Sequence, residues 1–333
     1  MSAVILVTGG AGYIGSHTVK ALTRAGYEPV VYDNLSAGHR EAVQTARLIE
    51  GDIHDGPRLR QVMRAHRIRA VLHFAAWLSV GDSVKDPRGY YWNNVVGSLS
   101  LLEAMAAEGV GQLVFSSSAA VFGEPLETPM AESHAARPTN PYGETKLAVE
   151  RALPHYERAY GLRAISLRYF NAAGADPDGE LGEDHDPETH LVPRAIDAAL
   201  GGEPLSVFGD DYPSPDGTCL RDYVHVMDLA DAHVLALAAL ERGAATTAYN
   251  LGAGRAVSVR EVIAAVERVG GRPVPSRVVA RRAGDPGVLY ASSAAIGRDL
   301  GWQLRHDDLD TIVRTAWRWR RAHPQGYRTG AKS

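Results

Sequence analysis

Residues Thr8 to Gly15 read Thr-Gly-Gly-Ala-Gly-Tyr-Ile-Gly, directly after the apolar run Val4–Val7 and at the opening of the amphipathic stretch Ile14–Ala25. Gly9, Gly12 and Gly15 fall in G-x-x-G-x-x-G spacing. Glycines at such positions allow a tight turn, let backbone approach a pyrophosphate, and permit close packing of helix on strand. A glycine run alone also fits a bare turn. Its place between strand and helix is what makes it a dinucleotide-binding turn. Asp33 ends the second strand eighteen residues past Gly15. A carboxylate there accepts hydrogen bonds from an adenosine ribose and repels a 2′-phosphate, which favours NAD over NADP. Asp52 follows the third strand within reach of the adenine, with an ordinary surface turn as its alternative.

Short apolar runs and longer amphipathic stretches alternate through this half of the chain. Val4–Val7, Pro29–Tyr32, Ala70–Phe74, Leu113–Ser116 and Ala164–Leu167 predict buried strands. Ile14–Ala25, Asp55–His66, Ser83–Glu108 and Pro141–Tyr160 predict helices. Strand and helix in turn predict an α/β fold with a doubly wound parallel sheet of Rossmann type, covered on both faces. The rhythm fades after Arg168, and Asn171–Thr189, rich in Gly, Asp and Pro, reads as a loop. Further elements are predicted near Leu191–Leu200, Leu205–Phe208, Tyr223–Val226, Asp228–Leu240, Ala248–Leu251, Val257–Val269 and Asp308–Arg321. With 333 residues, two lobes are expected. The first is an NAD-binding Rossmann domain over residues 1–172, the second a smaller C-terminal α/β lobe for substrate over residues 173–333. Residues 228–252 are expected to pack back on the first domain, because they again read helix then strand.

Charge and cysteine content narrow the partners. A net charge of −4, from 35 basic and 39 acidic side chains spread along the chain, builds no basic face, so nucleic acid is not an expected partner. No apolar stretch approaches the length of a membrane span, and Met1–Val7 lacks the basic start of a signal peptide. Cys219, the single cysteine, makes no internal disulfide. The expectation is a cytoplasmic protein with no metal site.

Tyr142 and Lys146 lie four apart at the start of a predicted helix, in Pro141-Tyr-Gly-Glu-Thr-Lys146, which puts phenol and ammonium on one face. A phenol titrates near 10 in water, and a nearby cation favours its ionised form, so a tyrosine so placed acts as a general base. Taken alone, Tyr-x-x-x-Lys is more often a plain helix surface. Ser116, Ser117 and Ser118 end a predicted strand on the side where doubly wound sheets place ligands, although serines there also satisfy turn backbone. Glycine turn, strand-end serine and Tyr-x-x-x-Lys in this order together make a site.

These residues resemble the extended short-chain dehydrogenase/reductase superfamily. Nearly the whole chain is similar to its UDP-glucose 4-epimerase (UDP-galactose 4-epimerase) family. The similarity is carried by Thr8–Thr18, Asp33-Asn-Leu, Gly51-Asp-Ile, Phe115–Ser118, Leu167-Arg-Tyr-Phe-Asn171, Gly209-Asp-Asp-Tyr-Pro213, Asp216-Gly-Thr, Arg221–Ala230, Tyr249–Ala253 and the ending His323-Pro-Gln-Gly-Tyr327. The resemblance implies that Tyr142 is the base, that Lys146 holds the nicotinamide ribose and depresses Tyr142, and that Ser118 hydrogen-bonds the sugar. It implies NAD contacts at Gly9, Gly12, Tyr13, Ile14, Gly15, Asp33, Asn34, Leu35, Ser36, Ala37, Gly38, Asp52, Ile53, Phe74, Ala75, Ala76, Asn93 and Phe170. Implied contacts to the nucleotide sugar are Asn171, Leu191, Ser206, Val207, Phe208, Arg221, Arg282, Asp285 and Leu289. Arg221 and Arg282 suit a diphosphate, since planar guanidiniums grip it well, though a solvated surface arginine is each one's plain alternative. The implied reaction interconverts UDP-galactose and UDP-glucose. Tyr142 takes the 4″-hydroxyl proton, hydride passes from C4″ to NAD, the planar 4-keto sugar turns over, and hydride returns to its other face. A homodimer through the helices Ser83–Glu108 and Pro141–Tyr160 is implied as well.

Three positions depart from the family pattern. Leu78 stands where lysine is frequent among NAD contacts, His190 where asparagine is common, and Leu289 where bacterial members often carry tyrosine. Leucine at 289 predicts room for an acetamido group, and with it turnover of UDP-N-acetylglucosamine and UDP-N-acetylgalactosamine, unless Tyr290 swings into the space. A 4,6-dehydratase places an acid pair beside the matching residue, whereas Ala119 and Ala120 follow Ser118 here. A 4-epimerase of UDP-pentoses is the near rival. A non-catalytic NAD-sensing module is the distant one, because it need not keep Tyr142, Lys146 and Ser118 together.

Overall fold

The computed structural model describes residues 2–282 and 286–327. The first half follows the predicted alternation: β1 (Val4–Thr8), α1 (Tyr13–Arg24), β2 (Glu28–Asp33), β3 (Arg47–Glu50), α2 (Gly56–Ala65) and β4 (Ala70–His73). After α3 (Val80–Lys85), α4 (Pro87–Tyr90) and α5 (Gly97–Glu108) come β5 (Gln112–Ser118), α6 (Pro141–Tyr160) and β6 (Arg163–Tyr169). The second half holds β7 (Asn171–Ala173), α7 (Leu191–Ala199), β8 (Leu205–Phe208), β9 (Leu220–Arg221), β10 (Tyr223–His225), α8 (Val226–Glu241) and β11 (Thr247–Leu251). It closes with β12 (Val257–Ser258), α9 (Val259–Gly270), β13 (Ser276–Val279), β14 (Val288–Leu289), α10 (Ala294–Leu300) and α11 (Leu309–Ala322).

Seven strands form one parallel sheet in the order β11-β6-β5-β4-β1-β2-β3. Alternate residues feed opposite faces. Ile5 and Val7 join the core that includes Val19 and Leu22 of α1 and Leu237 of α8. Leu6 joins the one built with Leu59, Leu101 and Leu153 from α2, α5 and α6. Both faces are therefore dry, as a continuous Val/Ile/Leu strand requires. Strand order reverses at β1, whose neighbours are β2 and β4. Doubly wound sheets open a crevice at the carboxyl ends of strands flanking such a switch.

Residues 226–251 return to this sheet. α8 packs on α1, and β11 pairs in register with β6 as the sheet's edge. A separate core gathers α7, α9 and α11 around Ile196, Val262 and Ile312. Two expectations are corrected. Ser83–Glu108 is not one helix: Asp86 leaves the helical region (φ −129°, ψ 68°) ahead of Pro87, caps α4 through Gly89, and the chain then winds as a π-helix over Tyr91–Val96 before α5. Proline disfavours helical backbone in the residue before it, which is what breaks the run. The predicted loop at Asn171 starts instead as β7, paired in parallel with β10.

Candidate active site

The crevice at the switch point is a cavity of ≈ 440 Å³ that reaches from the glycine turn to Leu289. Its floor is the turn between β1 and α1. Gly9 sits at φ +72°, and a Cβ on it would come within 2.5 Å of the Ala75 amide nitrogen, so strand β4's exit packs against bare backbone. A Cβ on Gly15 would overlap the Gly9 carbonyl oxygen. These two glycines close the turn tightly enough to bring α1 over the crevice. α1 starts from Gly12 with no side-chain cap and no acidic residue in its first turn. Its first-turn amides, at the positive end of the helix dipole, keep their capacity for a pyrophosphate.

Asp33 closes β2 and is held by backbone: Ala11 N–H donates to Oδ2 at 3.0 Å and Leu35 N–H to Oδ1 at 2.8 Å. Burial pushes its carboxyl above the usual range, against the pull of those two amides. One bond per oxygen leaves acceptor capacity facing the crevice, which fits a ribose diol. Asn34, Ser36, Ala37, Gly38, Ile53, Phe74, Ala75, Ala76, Asn93 and Phe170 line the same cavity, with Tyr13 and Ile14. Leu35 and Asp52 do not line it. The Asp52 carboxylate is engaged locally, accepting from Asn34 Nδ2 and from the His54 backbone, each at 2.9 Å. These residues fit a dinucleotide with an unphosphorylated ribose.

Ser118, Tyr142 and Lys146 meet in the same cavity. Asn140 caps α6 by accepting from Gly143 N–H at 2.9 Å, and Pro141 takes the first helical position, so Tyr142 is presented at the helix start. Ser118, the last residue of β5, lines the same cavity and pulls the Tyr142 phenol down. Lys146, one turn on, is buried, and its Nζ donates to the Ser116 carbonyl at 2.7 Å. Burial pushes the Lys146 ammonium down to about 7, with Glu150 pulling the other way. One direction differs from expectation. Burial raises the Tyr142 phenol above its ordinary value, and of its neighbours only Ser118 pulls it down. Desolvation of the phenol outweighs the pull of Ser118, and Lys146, whose own charge is disfavoured by burial, does not reverse it.

Around the far end, Asn171 and Leu289 line the cavity. Asn171 Nδ2 donates to the Asp222 carbonyl oxygen at 2.9 Å. Leu289 packs beside Phe170 on the cluster of Val121, Phe122, Met130 and Leu147. Leu191, Ser206, Val207, Phe208, Arg221 and Arg282 stand outside the cavity lining. Val207 is turned into the core, while the Arg282 guanidinium stacks 3.9 Å from the Phe208 ring centroid. Arg221 lies opposite Leu289 in the β9–β14 register. Asp285 lies outside the described residues.

Several supporting residues carried no signal that was read. Asn94 bridges Trp77 backbone (2.8 and 3.0 Å) and Thr145 Oγ1 (3.1 Å), tying the wall after β4 to α6. Glu150, a helical turn past Lys146, is buried against Arg168 at 2.6 Å; the i, i+4 spacing from Lys146 was the available clue. Asp222, inside the Arg221-Asp-Tyr stretch, accepts backbone N–H groups from Ala253 (2.6 Å), Gly254 (3.1 Å) and Ala291 (3.0 Å). Glu183, His185 and His190 also line the cavity, although no metal or acid cluster was expected there.

Residues 5–252 match the NAD dependent epimerase/dehydratase family. The UDP-glucose 4-epimerase of Halalkalibacterium halodurans is 50% identical over 98% of this chain and 98% of its own. The crystal structure of the UDP-glucose 4-epimerase from Brucella ovis in complex with NAD is 54% identical, with a TM-score of 0.93 over 95% of this chain and 98% of that one. The Stenotrophomonas maltophila UDP-glucose-4-epimerase, with bound NAD and formylated UDP-arabinopyranose, is 43% identical, with a TM-score of 0.94 over 97% of this chain and 99% of that one. With the glycine turn, Asp33, Ser118, Tyr142 and Lys146 gathered in one crevice, and with sequence likeness running the length of these enzymes, the chain belongs to the NAD dependent epimerase/dehydratase family.

Proposed function

We propose that this chain is a UDP-glucose 4-epimerase, interconverting UDP-galactose and UDP-glucose through a 4-keto sugar. The observation that carries the reading is the convergence of Ser118 and Tyr142 in one crevice with the glycine turn, with Lys146 buried and anchored to the Ser116 carbonyl behind them. Bound NAD supplies the acceptor and donor of the C4″ hydride. Tyr142 accepts the 4″-hydroxyl proton and returns it when the sugar is reduced from the other face. Ser118 holds the sugar oxygen and stabilises the phenolate, as a hydrogen bond to the charged form does. Lys146 adds positive charge at the same place when protonated, although burial, by bringing it down to about 7, leaves that charge only partly present at neutral pH. Ala119 and Ala120 leave no acid beside Ser118 for loss of a 6-hydroxyl.

The roles assigned to the lining residues, and the supply of sugar contacts by residues 173–333, belong to this reading. Arg282, stacked on Phe208, and Arg221, beside Leu289, are the cations that would meet the diphosphate. The closest rival is a 4-epimerase of UDP-pentoses, favoured by the pentose nucleotide in the Stenotrophomonas maltophila structure. We also read the protein as a cytoplasmic homodimer. Among the described residues no helix is long and apolar enough to cross a membrane. Val84, Tyr91, Trp92 and Tyr160 are exposed large apolar side chains on the segments expected to pair.

The deciding experiment incubates NAD-loaded protein with UDP-galactose and with UDP-arabinopyranose, and separates products by chromatography. UDP-glucose should form without net NADH. No conversion of UDP-galactose by folded, NAD-loaded protein overturns the assignment, and faster conversion of the pentose favours the rival.

A further inference from the structure

Between β7 and α7 the chain carries Glu183-Asp-His185-Asp-Pro-Glu188-Thr-His190, and the structure folds this stretch so that four side chains converge. One ligand-capable atom from each of Glu183, His185, Glu188 and His190 lies within 4.8 Å of all the others. We propose that these four residues form a site for a divalent transition-metal ion, with zinc the best fit, which fastens this segment as one wall of the crevice.

Spacing is the first argument. Ligands about 2.0–2.2 Å from a tetrahedral zinc stand about 3.3–3.6 Å from one another. His185 Nδ1 lies 3.4 Å from Glu183 Oε1 and 3.4 Å from Glu188 Oε2. His190 Nδ1 lies 2.8 Å from Glu183 Oε1 and 3.2 Å from Glu188 Oε1. His185 thus faces both carboxylates at the edge length of a coordination tetrahedron, while His190 stands closer to both and would move outward by a few tenths of an ångström to admit the ion.

Orientation is the second. Glu183 Oε1 and His185 Nδ1 are buried and without an aligned hydrogen-bond partner, despite standing this near each other. The Glu183 side chain is only 7% exposed. Those two atoms approach without donor–acceptor alignment, as a shared cation needs, whereas His190 Nδ1 hydrogen-bonds Glu188 Oε1 at 3.2 Å and would exchange that bond for the ion.

Charge is the third. If the quartet were only ion-paired, both imidazoles would be cationic with ring centroids 5.1 Å apart in a partly buried pocket. A metal takes them neutral, and two carboxylates balance its charge. Two imidazoles with two carboxylates suit zinc or cobalt rather than calcium or magnesium, which take oxygen-only shells. The four ligands leave no open position, so the ion is structural. Its effect is to pin the segment leading into Leu191, at the start of α7, against the crevice that Glu183, His185 and His190 line.

The test uses the full-length, NAD-loaded chain. Protein stripped with a chelator is titrated with Zn²⁺ in competition with a chromophoric chelator, and metal per chain is measured by mass spectrometry. Cobalt-loaded protein is examined for the intense visible bands of a tetrahedral ion. The expected result is about one zinc per chain at micromolar or tighter affinity, with tetrahedral cobalt bands. Glu188→Gln and His185→Gln should each weaken affinity about 10²-fold or more. His190→Asn, which places the family's common residue there, should do so while leaving the circular-dichroism spectrum unchanged. Zinc binding equal in wild type and all three variants, or absent at tens of micromolar metal, overturns the site and leaves the quartet a set of ion pairs.

Discussion

Lys146 Nζ lies 2.7 Å from the Ser116 carbonyl oxygen and 6.0 Å from the centroid of the Tyr142 ring, so one buried amine ties β5 to the helix start that carries the phenol. The strand end that supplies Ser118 and the helix that supplies Tyr142 are thereby fixed to each other. That relation makes the phenolic oxygen the natural point to probe.

Tyr142→Phe removes that oxygen and little else. Turnover should fall about 10²–10⁴-fold, the usual cost of losing a general base. NAD content, read from the absorbance of the denatured supernatant, should match wild type. Near-normal turnover by a folded variant would remove Tyr142 from the chemistry.

Lys146 makes stability depend on alkaline pH. Its ammonium is pushed from an ordinary 10.5 to about 7 by burial. Between those values the unfolded chain binds more protons than the folded one, so stability rises with pH across roughly 7 to 10 and is lowest below 7. The slope from this one group is at most about 1.4 kcal/mol per pH unit. Lys146→Met should flatten it. Urea denaturation at pH 6.5, 8 and 9.5 on both proteins checks this, and parallel curves would refute the buried-amine account.

Asp222→Ala strips an acceptor from three backbone N–H groups at once, those of Ala253, Gly254 and Ala291. Each such charged hydrogen bond contributes about 1.5–3 kcal/mol. A loss of about 3–5 kcal/mol in unfolding free energy is expected, larger than for most single substitutions. Equilibrium denaturation gives the number. A loss below about 1 kcal/mol would mean water replaces the carboxylate without cost.

Leu289→Tyr adds a ring at the far end of the crevice, where Leu289 packs with Phe170. Overpacking against an acetamido group costs about 1–3 kcal/mol, or roughly 5- to 150-fold in preference. Wild type should epimerise UDP-N-acetylglucosamine, and the variant should lose that activity while keeping UDP-glucose. Unchanged selectivity would assign the gate elsewhere, with Tyr290 the first candidate.

Much of this was readable in the chain because the signals are local. The glycine turn, Asp33 and Tyr142-x-x-x-Lys146 each declare themselves within one turn or one strand end, and their place on a parallel sheet follows from alternation alone. What escaped is long-range. Asp222 binds amides up to 69 positions away at Ala291, and nothing near Asp222 advertises them. Lys146 was expected to lower the Tyr142 phenol, but the sign depends on how deeply both are buried. Pattern gives spacing and says little about depth. The break at Asp86–Pro87 was a local signal that the hydrophobic period overrode in the reading, although proline's effect on its predecessor was there to use.

The unfilled cap of α1 bears on how this protein would behave at the bench. Gly12 offers the helix no side-chain acceptor, so whatever anion the turn receives also completes the helix. Cofactor and fold are then thermodynamically linked, and occupancy at 100 times Kd adds about 2.7 kcal/mol of stability. A preparation carrying a mixture of loaded and stripped chains should melt in two steps rather than one broad step, provided exchange is slow. The ratio of the two amplitudes then reads out cofactor stoichiometry directly. Gly12→Ala, whose added methyl meets nothing nearer than 3.4 Å within the chain, should collapse the trace onto the lower step by crowding the ligand rather than the helix.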